Sequence, residues 1–297
     1  MKPSLASRAR LLGARRLGAA RLTALAVTCG FGIALLVANA PSWQLEDMNA
    51  YWLAAQRLRD GLPLYPAVAD PGAADVFRYS PWFAWLWLPL TYLPFQAVAI
   101  GWSAILLGSI PLAVGPLLRQ RSVAAICLAA LGAGLLFRAA STGNVHPILI
   151  AALVRGIRHR SGPIWIGVAA SLKIVPIAYA LVYLGRREWA RAALASAVTL
   201  LLLTPALSYD VRAYPAQAGE SLSLLSLLGP VPWAAALGLA AVAAFRFART
   251  RHAWVAASLA VLASIPRLDL YGLSYLIVGL EAPASPRNEG GAGAPNR

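Results

Sequence analysis

Acidic side chains are scarce in this sequence: 11 Asp and Glu stand against 26 Lys and Arg over 297 residues. Charged residues of both signs make up only 12% of it, where a soluble domain carries about 25%. The chain therefore lacks the charge to cover a water-facing surface. Lysine is nearly absent, with only Lys2 and Lys173. The two cysteines, Cys29 and Cys127, lie in apolar stretches and provide neither a disulfide framework nor a metal-ligand spacing. His146, His159 and His252 are scattered, so no metal site and no cofactor is expected. A Gly-rich phosphate loop, HExxH and GxSxG are all missing, and no repeat recurs at a fixed period.

What is present is apolar. Hydrophobic residues are 59% of the chain and the mean hydropathy is +0.64. The run Leu22 to Ala40 carries no charge and is long enough to cross a hydrocarbon core of about 30 Å. Six basic residues, Lys2 to Arg21, precede it. A signal peptide is the competing reading, but the run is long for one and its Ala38-Asn39-Ala40-Pro41 exit is only a fair cleavage site. We read an uncleaved first span with the N-terminus in the cytoplasm. Further spans are expected at roughly 96–118, 122–138, 144–157, 190–207, 231–245, 252–265 and 270–281. The segment 162–184 differs, because Lys173 and Pro176 interrupt it. It reads as two half-length helices that meet near the outer face, a break tolerated where backbone is buried in protein or lines a cavity. The fold expected is an all-α polytopic membrane bundle of about 9–10 helices. It forms a single domain over 1–281, and the Gly-, Pro- and Ala-rich tail 282–297 reads as disordered.

The sorting of charge supports that reading and removes nucleic acid as a partner. Basic residues cluster before the first span and at Arg119/Arg121, Arg155/Arg158/Arg160, Arg186/Arg187/Arg191 and Arg246/Arg249/Arg251, with Glu188 the one acid among them. The loops expected on the other side hold Glu46, Asp47, Asp60, Asp70, Asp75, Asp210, Glu220 and Asp269. Bases inside and acids outside is the positive-inside pattern of a cell-membrane protein.

The longest outer segment, 41–95, carries two expected interfacial helices. Residues 47–59 have helical spacing, with Tyr51, Ala54, Ala55 and Leu58 on one face and Gly61 as a stop. Asp47 opens this helix, where the helix dipole favours a carboxylate, so pattern alone reads it as a cap. Residues 77–94 are dense in aromatics and broken by Pro81, Pro89 and Pro94, which suggests a helix lying on the outer surface.

In order and spacing these segments resemble glycosyltransferase family 87. The residues that carry the resemblance are Asp47-x3-Tyr51, Ala54-Ala55, Gly61-x-Pro63-Leu64-Tyr65, and Phe77-x-Tyr79-x-Pro81-x2-Ala84-x-Leu86-x2-Pro89-Leu90-x2-Leu93-Pro94. It continues in Gly143-Asn144-Val145-His146 and in Gly167-x3-Ser171-Leu172-Lys173-x2-Pro176, followed by a basic turn and Trp189. Ser80-Pro81 departs from a common Pro-Pro, and Gly219-Glu220-Ser221 from Asn-Gln-Ser.

The resemblance covers roughly residues 20–280. It implies a GT-C membrane enzyme: a hexosyltransferase, most specifically a mannosyltransferase, using a polyprenyl-phosphate sugar donor and an extracytoplasmic lipid or glycan acceptor. It also implies Asp47 as general base and Lys173, Arg78 and Arg267 as cations for the donor phosphate, with Arg138 a weaker candidate. Tyr51, Tyr79, Asn144 and His146 are the expected substrate contacts. Each has a plainer reading as well: a snorkelling lysine, a satisfied buried histidine, aromatic interface anchors. A transporter or flippase for a lipid-linked saccharide, or an inactive scaffold of the same fold, remains the alternative.

Overall fold

The computed structural model describes residues 45–66, 76–120, 122–157, 159–210, 224–265 and 269–281. The first span at 22–40, Arg267, Gly219-Glu220-Ser221 and the tail 282–297 lie outside the described residues. Everything regular among the described residues is helical. The elements are α1 (Glu46–Arg59), α2 (Pro81–Trp87), α3 (Phe95–Arg119), α4 (Val123–Ser141), α5 (His146–Gly156), α6 (Gly162–Leu172), α7 (Ala180–Gly185), α8 (Trp189–Leu203), α9 (Leu224–Leu228), α10 (Pro230–Arg246), α11 (Ala253–Ser264) and α12 (Tyr275–Glu281). Short 3₁₀ turns at 88–92, 175–179, 204–208, 247–249 and 270–274 extend or join them.

Four of these helices, some with their 3₁₀ extensions, are long and apolar enough to cross a membrane: Phe95–Arg119, Val123–Ser141, Trp189–Ser208 and Pro230–Arg249. The others fall close to the expected bounds but are too short to cross: His146–Gly156, Gly162–Leu172, Val175–Gly185, Ala253–Ser264 and Leu270–Leu280. At 11 residues each, α5 and α6 span only about 16 Å at 1.5 Å per residue. They pack against each other and against α3 and α8, so their apolar residues are covered by protein more than by lipid. Hydropathy alone does not separate a buried short helix from a crossing one, which is why 144–157 reads as a span.

The segment 162–184 is broken as expected. α6 ends at Leu172, Lys173 adopts extended backbone (φ −134, ψ 106), and a 3₁₀ turn opening near Pro176 leads into α7. The aromatic segment is helical over a narrower range than 77–94, from Pro81 at the first helical position to Tyr92. Only one side of it is exposed. Phe83, Ala84 and Trp87 pack into the core while Trp85, Leu86 and Tyr92 face out.

The ends of the helices sort by chemistry. At one end, Arg191 donates to His159 O, Arg186 to Ala248 O and Arg249 to Gly185 O, which ties three basic turns together. At the other end α1 meets the turn after α4, where the Asp47 N–H donates to Thr142 O at 2.8 Å.

Candidate active site

Four pieces of chain converge at the end away from the basic turns: the start of α1, the 142–146 turn, the break after α6, and the 269–274 turn. Each is placed by an identifiable local cause. Gly143 has φ +76, and a Cβ there would lie 2.6 Å from Met48 Cβ. Glycine is therefore required twice, for its backbone angle and for the close approach of α1. The Trp102 indole N–H holds Gly143 O at 2.8 Å. Leu45, which precedes α1, takes a left-handed conformation (φ 50, ψ 35), and the Asn49 N–H closes the first helical bond onto its carbonyl. A bulky residue in that region is strained, a feature that collects at functional sites.

Asp47 sits in the first turn of α1, half-buried. Its backbone N–H is satisfied by Thr142 O, so the carboxylate is left for other partners. The polar side chains of Thr142 and Asn144 and the charges of Lys173 and Asp269 act on that carboxylate. Burial pushes the Asp47 carboxyl above its ordinary range, and Asp269 adds to the rise. Thr142, Lys173 and Asn144 pull it back. A carboxylate made more basic yet kept near a cation suits proton abstraction.

Lys173 lies in the broken backbone with its ammonium 4.9 Å from the centre of the Tyr271 ring. The Tyr271 hydroxyl donates to Asp269 Oδ2 at 2.9 Å. One residue before the break is Leu172, and before that Ser171, whose Oγ accepts from the Trp82 indole at 3.2 Å. This bond, with Ser80 Oγ to Leu202 O (3.0 Å) and Trp85 Nε1 to Tyr209 OH (2.9 Å), lays α2 across the ends of α6 and α8.

The aromatic and amide residues form a hydrogen-bond chain under the carboxylate. Tyr51, fully buried, donates to Tyr79 OH (3.1 Å) and accepts from the Val145 N–H (3.3 Å). Asn144, 2% exposed, donates to Tyr79 OH (3.3 Å) and Tyr271 OH (3.5 Å), and its Oδ1 accepts from the His146 N–H. Tyr51 is ringed by Phe77, Tyr79, Phe83, Trp87 and Trp102 at centroid distances of 4.9–6.5 Å. Its position is that of a strut between α1, α2 and the 142–146 turn. His146 is also fully buried: its Nε2 pairs with Ser274 Oγ at 2.8 Å and its ring lies against Tyr271 and Tyr275.

The structure thus brings Asp47, Tyr51, Tyr79, Asn144, His146 and Lys173 into one neighbourhood. Arg78 is half-buried, between Phe77 and Tyr79 in the chain. Arg138 lies in the last turn of α4, its Nη1 3.4 Å from Ser141 Oγ. Thr142, Asp269, Tyr271, Trp82 and Ser171 were not among the expected site residues, although Ser171 lay in the motif that carries Lys173. Of the rest only Asp269 carried a legible signal, as an outer-loop acid close to Tyr271.

A family model for glycosyltransferase family 87 matches residues 77–214. The matched stretch holds Arg78, Tyr79, Asn144, His146 and Lys173, while Asp47, Asp269 and Tyr271 fall outside it. No curated protein and no solved structure matches the chain. The family match, the all-helical architecture and the four long apolar helices indicate a membrane glycosyltransferase.

Proposed function

We propose that this membrane glycosyltransferase moves a hexose, mannose in the first instance, from a polyprenyl-phosphate donor to a lipid or glycan hydroxyl on the extracytoplasmic face. The observation that carries the reading is that the Lys173 charge acts on Asp47 where the start of α1 meets the α6 break. In the proposed step the Asp47 carboxylate takes the proton of the acceptor hydroxyl as its oxygen attacks the anomeric carbon. The new C–O bond forms as the bond from that carbon to the phosphate oxygen breaks, with inversion, and the polyprenyl phosphate leaves carrying both electrons of that bond. The Lys173 ammonium would meet the charge growing on the leaving phosphate, the moment at which a fixed cation contributes most. Thr142 and Asn144 stand beside the carboxylate, and Tyr51 and Tyr79 fix the turn that carries them. Arg78 and Arg267 are further cations proposed for the donor phosphate.

The test is consumption of radiolabelled polyprenyl-phosphate mannose by the purified protein in detergent, with a panel of acceptor lipids. Asp47→Asn is expected to slow transfer by about 10²–10⁴-fold, the usual contribution of a positioned base. Transfer at the wild-type rate by that variant would remove Asp47 from the mechanism. Failure of the wild type to consume any such donor would favour the transporter reading.

A further inference from the structure

The end of the bundle away from Asp47 holds a second built arrangement that sugar transfer does not use. The turn after α7 and the turn after α10 approach so closely that a Cβ on Gly185 would lie 2.4 Å from both Ala248 Cβ and Phe245 O. Each turn sends an arginine onto the other. Arg186 Nε donates to Ala248 O at 2.7 Å, and Arg249 Nε donates to Gly185 O at 3.3 Å. The Arg186 guanidinium also lies 5.6 Å from the centre of the Trp254 ring. Anchoring each side chain through Nε holds its terminal nitrogens in place, and Arg186 Nη2 is buried without a hydrogen-bond partner. The Arg249 side chain is exposed and Arg186 is half-buried, so the clasp holds two fixed cations at the surface for an acceptor that the chain does not itself provide.

The surroundings specify the acceptor. Glu188 already forms an ion pair with Arg191 at 2.9 Å. Arg187 closes the α7 terminus with φ 63, a position that normally takes glycine, so the turn carries a third cation where a neutral residue would fit with less strain. Beside the clasp, Phe245 and Phe247 are each 48% exposed on the flank of an apolar helix. Arginine forks match phosphate oxygens, and exposed phenylalanines suit acyl chains. Basic pockets between helices at a membrane surface are where anionic headgroups bind.

We propose that Arg186 and Arg249 form a binding site for the phosphodiester headgroup of an anionic membrane lipid, with its acyl chains running along Phe245 and Phe247. The site is independent of the transferase reading. Its test uses full-length protein, stripped of lipid in neutral detergent and titrated with phosphatidylglycerol or phosphatidylcholine, with bound lipid counted by native mass spectrometry. The wild type is expected to prefer phosphatidylglycerol about tenfold, and Arg186→Gln/Arg249→Gln to lose most of that preference, at several-fold per arginine. Arg249→Gln alone removes only the longer, exposed bond. It should give a partial loss of about threefold, which keeps the test alive where the double variant does not fold. Arg119→Gln/Arg160→Gln removes the same charge elsewhere and is expected to keep the preference. Equal loss in that control would assign the effect to the diffuse basic surface and overturn the site. So would a wild type without preference, and displacement of the lipid by equimolar inorganic phosphate would overturn the lipid assignment.

Discussion

At the residue scale the proposed chemistry rests on an acid that the fold makes more basic. Because burial raises the Asp47 carboxyl, the base becomes protonated at a higher pH than a free aspartate, which titrates near about 3.9. The acid limb of the transfer rate is therefore expected above that value, with activity falling as pH drops through it. Lys173→Met removes a charge that lowers Asp47, so it should move the limb to higher pH as well as slow the reaction. Asp269→Asn removes one that raises it and should move the limb lower. A pH–rate profile of the three proteins checks both signs, and a limb that stays put in both variants would detach these residues from the base. The same shift bears on stability. A carboxyl whose folded value exceeds its unfolded one contributes stability only at low pH, and that contribution is lost as pH rises through the folded value. At neutral pH the buried charge is a cost, so Asp47→Asn is expected to hold or raise Tm while activity collapses. A fall in Tm would point to a structural role for Asp47.

At the scale of elements, the site depends on how closely α1 approaches the 142–146 turn. Gly143→Ala would force a Cβ against Met48 and a side chain into a left-handed backbone. It is expected to cost about 1–3 kcal/mol in stability and, by shifting Asp47, to cut transfer at least about tenfold. Thermal unfolding beside the transfer assay measures both. α1 itself was legible, since the spacing of Tyr51, Ala54 and Ala55 and the stop at Gly61 all appear in the structure. The break at Lys173 was legible for the same kind of reason: a cation and a proline interrupt an otherwise apolar run. The 269–274 turn was not, because Tyr271 joins the site only by folding back onto Lys173 and Asn144 across about 100 residues or more of chain. Nor was the role of Tyr51 as a strut, since an aromatic on a helix face reads the same whether it meets a sugar or five other rings.

At the scale of the whole molecule, the basic turns gather at one end and the Asp47 cluster lies at the other. In a protein freed of Cys29 and Cys127, a cysteine at Asp60 is expected to react with an impermeant maleimide added outside intact cells. A cysteine at Arg160 should react only after permeabilisation. The reverse pattern would invert the topology and put the proposed transfer on the cytoplasmic side.

Composition and charge order alone determined that the chain is a helical membrane protein, because the membrane filters sequences by apolar length and by the sign of loop charge, both local properties. They also marked Lys173, since a lysine inside an apolar segment is costly where it stands, whereas Asp47 read as a helix cap until the resemblance to glycosyltransferase family 87 singled it out. Only the tertiary structure decided that these two lie in one neighbourhood, that Thr142 and Asn144 stand beside the carboxylate, and that Asp269 and Tyr271 join them. Such contacts join residues distant in sequence, and their geometry is set by packing, here by a glycine with no room for a side chain and by short helices that end where the polar groups meet.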